Sequence, residues 1–303
     1  MNKIESKFGY VSIIGASNVG KSTLVNSLVG QKVSIVTRKE QTTRNRIIGI
    51  FYEGDSQIVM VDTPGIFKAK RKLDRAMVLS AWSSLKDADL IVLVVEANKD
   101  IKKNDMVIKH LNAMKGFNKN KLICVINKID LIQKPSLLSL TKNIQTYIDC
   151  KQYFFLSALK RDGIIDLKTY LSNNIPRGQW LYPENQISDI TSRLMASEIV
   201  REKLMNILHQ ELPYELAVET EDWNELKDGS VRIDILIYVN KKGQKKILIG
   251  SEGNNIKKVG IMARKELEII LEKNVHLFLY VKVQKDWDNN PNYYRTLGLK
   301  YNV

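Results

Sequence analysis

The run Gly15-Ala16-Ser17-Asn18-Val19-Gly20-Lys21-Ser22-Thr23 has the residue types and spacing needed to hold a polyphosphate. Its glycines let the backbone turn N–H groups toward an anion, and a helix opening at its end adds the partial positive charge of its N-terminus. Lys21 can reach the β and γ phosphates, and the Ser22 hydroxyl can ligate magnesium. Three further clusters follow in order. Asp62-Thr63-Pro64-Gly65 combines a carboxylate that can hold magnesium through a water with a glycine whose N–H can reach a γ-phosphate. In Asn127-Lys128-Ile129-Asp130, the Asp130 carboxylate can accept both the N1–H and the exocyclic N2–H of guanine. Adenine offers an acceptor at N1 and no amine at C2, so it would leave that carboxylate unpaired. Ser157-Ala158-Leu159 can supply a backbone N–H to guanine O6. The first cluster alone does not choose between ATP and GTP; the ordered set chooses GTP.

Each cluster sits at the end of an apolar strand-like run, at residues 10–14, 57–61, 122–126 and 153–156. Residues 23–29 read as the helix after the phosphate loop. Strands alternating with helices predict an α/β domain with a parallel sheet over residues 1–174. In such a sheet, ligands gather at the carboxyl ends of the strands. Between the first two clusters, Gln41-Thr42-Thr43-Arg44 offers two threonines, either of which could complete a magnesium shell, with Thr43 slightly favoured. Catalysis is expected from positioning and charge: Lys21, magnesium on Ser22, the threonine of that segment, and backbone amides including that of Gly65. The residue after Gly65 is Ile66, which cannot orient an attacking water, so a low intrinsic rate of hydrolysis is expected.

The chain has 303 residues, 44% hydrophobic and 26% charged, the balance of a globular protein with room for two domains. It contains no apolar run near the roughly 18 residues of a membrane span. The first strand begins within about ten residues, which predicts no signal or transit peptide. Cys124 and Cys150 are expected to be free thiols in a reducing cytoplasm. The net charge is +14, and about +13 of it falls in the first 174 residues. That excess suits an anionic partner, nucleic acid ahead of a membrane surface, although a solvated lysine-rich surface would look the same.

Residues 175–186 carry two prolines, a glycine and no periodicity, and read as a linker. A second domain follows at 187–303, with a helix over 187–210 capped by Ser188, then strands at 215–224 and 230–239. Next, Ile247-Leu-Ile249-Gly250-Ser251-Glu252-Gly253-Asn254-Asn255-Ile256-Lys257-Lys258 places a G-x-x-G turn between two helices, and a strand over 276–283 closes the unit. Such a turn lets backbone approach a nucleic-acid phosphate, with the next helix N-terminus attracting it. Ile247, Ile249 and Ile256 could form an apolar groove for bases, and Lys246, Lys257, Lys258 and Arg264 add positive charge. The α-β-β-α-α-β order favours RNA over a coincidental turn. A protein-binding second domain, or a scaffold that binds GTP without hydrolysing it, are the competing readings.

Taken together, the chain resembles the bacterial Era family of GTPases, one branch of the TrmE-Era-EngA-like translational GTPases, over essentially its whole length. The matching stretches are Asn18-Val-Gly-Lys-Ser-Thr23, Gln41-Thr-Thr-Arg44, Asp62-Thr-Pro-Gly65 and Asn127-Lys-Ile-Asp130. In the second domain they are Ile249-Gly-Ser-Glu-Gly253, Ile256-Lys257, Ala263-Arg264 and Val281-Lys-Val283 followed by Trp287. The resemblance implies a P-loop GTPase domain, with a mostly parallel six-stranded sheet and flanking helices, followed by an α+β type II KH domain. It also implies Mg2+ as cofactor, with K+ as a second ion that Asn18 could ligate, unless Asn18 only braces the loop. The implied partners are GTP and GDP, the 3′ end of small-subunit ribosomal RNA and the small ribosomal subunit, with a role in ribosome assembly. A cytoplasmic monomer is expected, with peripheral contact to the inner membrane surface left open. Two departures stand out: Ala16-Ser17 where the family usually has Arg-Pro, and Ser251 where its KH turn usually carries a basic residue.

Overall fold

The computed structural model describes residues 6–101, 105–133 and 135–303. It divides into two compact units, the first made of Met1–Val36, Glu40–Asp189 and Leu297–Val303, the second of Thr37–Lys39 and Ile190–Thr296.

In the first unit, β1 (Lys7–Ile14) leads into α1 (Lys21–Val29), and the hairpin β2 (Ile47–Glu53) and β3 (Ser56–Asp62) follows. Then α2 (Lys72–Ser83), β4 (Leu90–Glu96), α3 (Asp105–Ala113), β5 (Leu122–Asn127), α4 (Ser136–Tyr147), β6 (Gln152–Leu156) and α5 (Ile164–Asn174) alternate. The strand order is β2-β3-β1-β4-β5-β6. All neighbours run parallel except β2 and β3, which pair antiparallel across a two-residue turn with Gly54 at φ 55°. β3, β4, β5 and the second half of β1, from Val11, are buried, as expected of strands covered on both faces. Val11, Ile13, Leu24, Leu28 and Val92 pack on one side; Ile14, Ile91, Leu93 and Cys124 pack on the other. Cys124 and Cys150 are both buried free thiols.

The segment read as a linker is part of this unit. Phe8 N–H donates to Pro176 O, and Gly178 N–H to Ser6 O. The Gln57 amide accepts from the N–H groups of Leu181 and Tyr182 and donates to Tyr182 O. Ile50 N–H donates to Ile187 O, and the Ser188 hydroxyl to Ile48 O. Residues 176–178 therefore lie beside the start of β1, and 187–188 pair along β2, an edge strand whose outer backbone groups would otherwise be unpaired. Prolines and a glycine fit that irregular path without leaving it unpacked. The C-terminal residues 297–303 also belong here rather than to the second unit; the Lys72 ammonium lies 3.2 Å from the centroid of the Tyr301 ring.

The second unit contains α6 (Ser192–Ile207), β7 (Leu216–Glu225), β8 (Val231–Val239), α7 (Lys242–Ile249), α8 (Asn254–Leu271), β9 (Val275–Val283) and the short α9 (Pro291–Thr296). Its sheet order is β7-β8-β9, with β7 antiparallel and β9 parallel to β8. The helix α6 starts later than its sequence suggests. Thr191, not Ser188, is the N-cap, its side chain accepting from Leu194 N–H, because the Ser188 hydroxyl is spent on β2. Ile199, Leu204, Ile233, Ile235, Val259 and Leu267 form the core. Trp287 is buried, and its indole N–H donates to Glu215 O.

Candidate functional site: nucleotide and RNA

The phosphate loop adopts the conformation its glycines allow. Gly15 and Gly20 have φ of 153° and 96°, and Asn18 has φ 63°. A Cβ on Gly20 would lie 2.3 Å from Asn127 Nδ2, so both the backbone angle and the neighbouring side chain require glycine. Lys21 is buried, its ammonium donating to Gly15 O (3.1 Å) and Ala16 O (2.9 Å). Burial pushes its pKa down to about 8, with Asp62 pulling it back up; a phosphate would pull in the same direction as Asp62.

Asp62, at the tip of β3, is fully buried, and burial pushes its carboxyl pKa up against the hydrogen bonds that favour the charged form. Its Oδ2 accepts from Ser22 Oγ at 2.7 Å and more weakly from Thr43 Oγ1 at 3.4 Å. Ser22 Oγ and Thr43 Oγ1 are 2.8 Å apart. Thr43 is thus the threonine that stands beside Ser22 and Asp62, while Thr42 is half-buried one residue away. Asp62 Oδ1 is buried without a hydrogen-bond partner among the described residues. Two hydroxyls and a carboxylate with one unmatched oxygen are the hard-oxygen donor set that suits magnesium.

Gly65 is packed against the phosphate loop: a Cβ there would sit 2.7 Å from Ser17 Oγ and 2.8 Å from Ser17 Cα. Ile66 N–H donates to Gly15 O at 3.2 Å. Thr63 plays a structural part, its hydroxyl donating to Ile13 O at 2.7 Å. The substituted pair Ala16-Ser17 is buried, and Ser17 Oγ makes no hydrogen bond among the described residues.

At the base-recognition end, Asp130 is exposed in a short turn after β5, with Lys128 in the left-handed region at φ 65°. Asn127 acts as a strut. Its Nδ2 donates to Val19 O (2.9 Å), and its Oδ1 accepts from Lys128 N–H (2.8 Å) and Ala158 N–H (3.0 Å). The Ala158 amide is therefore engaged by Asn127 and that of Ser157 by Asp162 O, while Leu159 is exposed. A guanine O6 would share the Ala158 donor or use that of Leu159. Lys128 Nζ donates to Asn18 O (2.8 Å) and pairs with Glu96 (3.2 Å). Sequence reasoning missed Glu96, although its place at the tip of β4, beside the tip of β5, was the available signal.

In the second unit the G-x-x-G turn joins α7 to α8. Gly250 has φ 77° and Gly253 φ 77°, and Glu252 between them has φ 52°. A Cβ on Gly250 would lie 2.8 Å from Asn255 Cγ, whereas one on Gly253 meets open space apart from Ile256 at 4.0 Å. Asn255, overlooked in the sequence, braces the turn by donating from Nδ2 to Ile247 O at 3.0 Å. Ser251, Glu252, Asn254, Lys246, Lys257, Lys258 and Arg264 are exposed; Ile249 and Ile256 are half-buried and Ile247 is exposed. Leu279 of β9 packs beside Gly260 of α8. A glycine-lined turn, a helix N-terminus, exposed cations and accessible apolar side chains thus adjoin one another on α7 and α8.

A phosphate loop, a magnesium-type carboxylate and a guanine-type carboxylate at the strand tips of a doubly wound sheet define a P-loop GTPase, joined here to a KH unit. Comparison with known proteins agrees: a family model described as 50S ribosome-binding GTPase matches residues 10–128, and a KH domain model matches residues 211–288. The chain is 51% identical to GTPase Era of Brucella suis over 297 residues, covering 98% of this chain and 94% of that protein. It is 48% identical to GTPase Era of Agrobacterium fabrum, covering 99% of this chain and 94% of the relative. A crystal structure of Era in complex with MgGDPNP and nucleotides 1506–1542 of 16S ribosomal RNA superposes with a TM-score of 0.90 at 38% identity, covering 97% of this chain and 99% of that one. Aquifex aeolicus Era bound to GDP.AlF4- gives 0.90 at 37% identity, covering 96% and 99%. The chain belongs to the Era family of GTPases.

Proposed function

We propose that this GTPase binds the 3′ end of small-subunit ribosomal RNA through its KH unit and serves small-subunit assembly, with its nucleotide state setting RNA affinity. The observation that carries the reading is the pairing of a complete guanine-nucleotide site with a G-x-x-G turn held open by Gly250 and Gly253. The likeness over nearly the whole chain to an Era bound to MgGDPNP and 16S ribosomal RNA supports the same partner here. We place the protein in the cytoplasm as a monomer.

In hydrolysis, Lys21 stabilises charge on the β and γ phosphates, and the loop amides orient them. Ser22, Thr43 and, through water, Asp62 would hold Mg2+, which neutralises phosphate charge when bound. Asp130 selects guanine, and Asn127 fixes the loops around it. Ile66 packs into the core beside Ile14 and Leu93, so no side chain at that position aligns the attacking water. The intrinsic rate is low for that reason, and Asn18 is the residue through which a bound K+ would raise it. Faster hydrolysis in potassium than in sodium, abolished by Asn18→Ala, is expected; equal rates would remove the ion from the reading.

RNA binding is tested with a 3′-terminal small-subunit ribosomal RNA fragment at fixed salt, because phosphate contacts make affinity salt-dependent. Tighter binding in the GTP-analogue state than with GDP supports the reading. Equal affinity would end the coupling, and failure to bind in either state would end the RNA assignment.

A further inference from the structure

The magnesium-type carboxylate is held by a residue that belongs to none of the nucleotide motifs. Ser34, in the segment between α1 and β2, is 1% exposed, and its hydroxyl donates to Asp62 Oδ2 at 2.8 Å. Ser34 is itself fixed by Asn26 of α1. Asn26 Oδ1 accepts from Val33 N–H (2.9 Å) and Ser34 N–H (3.0 Å), and its Nδ2 donates to Ser34 O (2.8 Å). The same helix carries Ser22 in its first turn. Asn26, Ser34 and Asp62 therefore form a closed linkage from α1, across a loop, to the tip of β3.

We propose that Ser34 is a positioning residue for magnesium: its hydroxyl fixes the Asp62 carboxylate so that Oδ1 faces the ion's water shell, with Asn26 fixing Ser34 in turn. Three hydroxyls converge on Oδ2, from Ser22, Ser34 and Thr43. Ser22 and Thr43 are the side chains whose oxygens turn to the metal, and each then has one proton and fewer directions in which to offer it. Ser34 is the donor of the three with no such second duty. It is buried, its backbone N–H and C=O are both held by Asn26, and it holds one oxygen while Oδ1, the other, has no hydrogen-bond partner among the described residues. A carboxylate with one oxygen anchored and one free is oriented, whereas one held only by groups that move with the metal is not. Groups that orient metal ligands in this way carry about ten- to a hundredfold in metal affinity.

The inference rests on the magnesium reading above. Release of a fluorescent GDP analogue from the full chain, measured across magnesium concentrations and in EDTA, separates the two. For Ser34→Ala, the magnesium concentration that half-slows release should rise about tenfold, while the EDTA rate stays within about twofold of wild type. Ser34→Cys keeps the volume with a weaker donor; it should shift in the same direction by less, and it carries the test if the alanine variant does not fold. Asn26→Ala should reproduce the shift, because Ser34 loses its anchor. A half-slowing concentration unchanged from wild type would overturn the proposal. So would equal acceleration in EDTA and in magnesium, since that marks a loosened loop instead of a misplaced carboxylate. Wild-type release indifferent to magnesium would fell the magnesium reading itself, and this proposal with it.

Discussion

Asn127 lies within the guanine motif, yet the structure makes it a structural tie among three loops. Asn127→Ala would remove hydrogen bonds to Val19 O, Lys128 N–H and Ala158 N–H, all within 3.0 Å, from a side chain only 2% exposed. At a net contribution of about 1 kcal/mol each, the three bonds are worth about 3 kcal/mol. Part of that loss falls on the folded unit and part on nucleotide binding, because the phosphate loop and the two base loops would no longer be fixed together. With a tenfold change for each 1.4 kcal/mol or so, GDP affinity should fall by between about ten- and a hundredfold. Asn127→Asp is a sharper probe. It keeps the acceptor for Lys128 and Ala158 but sets a carboxylate oxygen against Val19 O, so it should bind GDP no better than the alanine variant. Gly20→Ala approaches the same tie from the other side, since its Cβ would lie 2.3 Å from Asn127 Nδ2. The assay is GDP titration calorimetry, with amide hydrogen exchange at residues 19, 128 and 158 reporting the loops. Unchanged GDP affinity and unchanged exchange in Asn127→Ala would refute the reasoning.

Asp130→Asn exchanges a carboxylate oxygen for an amide donor, so competition binding should show GTP weakened and XTP, whose base carries oxygen at C2, strengthened; unchanged GTP affinity would remove Asp130 from base recognition. Lys21→Ala deletes charge-assisted hydrogen bonds worth about 1.5–3 kcal/mol each, so GTP affinity should drop at least tenfold by titration, and near-normal binding would contradict the phosphate assignment. Aspartate at both Gly250 and Gly253 should abolish RNA binding and leave GTP hydrolysis intact, as read by filter binding and phosphate release. Both positions have φ 77°, and one new side chain would strike Asn255. Glu96→Gln should weaken the hold on Lys128 and lower GTP affinity by severalfold in the same titration, because the carboxylate lies 3.2 Å from Lys128 Nζ.

The nucleotide site was legible in sequence because its parts sit at strand tips. An apolar run ending in Asp62 or in Asn127-Lys128-Ile129-Asp130 announces both the strand and the residue that leaves it. Thr43 could not be told from Thr42 by sequence, since both lie in one irregular segment and only tertiary packing brings Thr43 to Ser22. Asn26 and Ser34 left no signal at all: their partner Asp62 is 28 residues beyond Ser34, and a buried serine in a loop has no pattern. Residues 175–186 read as a linker but pack within the first unit, for a related reason. Pairing to an edge strand through Ile187 and Ser188, with Gln57 gripping Leu181 and Tyr182, needs no periodicity in the covering chain. Its prolines mark an irregular path, and an irregular path can still be packed.

The packing around Ile66 decides what kind of catalyst this is. Its side chain is 4% exposed in the core that holds Ile14 and Leu93, and its N–H is bonded to Gly15 O. The neighbouring Gly65 has no room for a Cβ against Ser17. The turn after Asp62 is thus seated on the phosphate loop by backbone contacts, with its next side chain directed into the core. A glutamine placed at Ile66 would bury an amide in that apolar cluster before it could reach a water, at the cost of an unpaired polar group. On the proposed reading, hydrolysis draws on what the loops hold in place: an ammonium at Lys21, amides of the phosphate loop and a magnesium ion that Ser22, Thr43 and Asp62 would hold. Those are groups whose alignment depends on how tightly the loops are tied. On that reading, the residues that tie them, Asn127, Glu96, Asn26 and Ser34, set the alignment of the groups that would touch phosphate and magnesium.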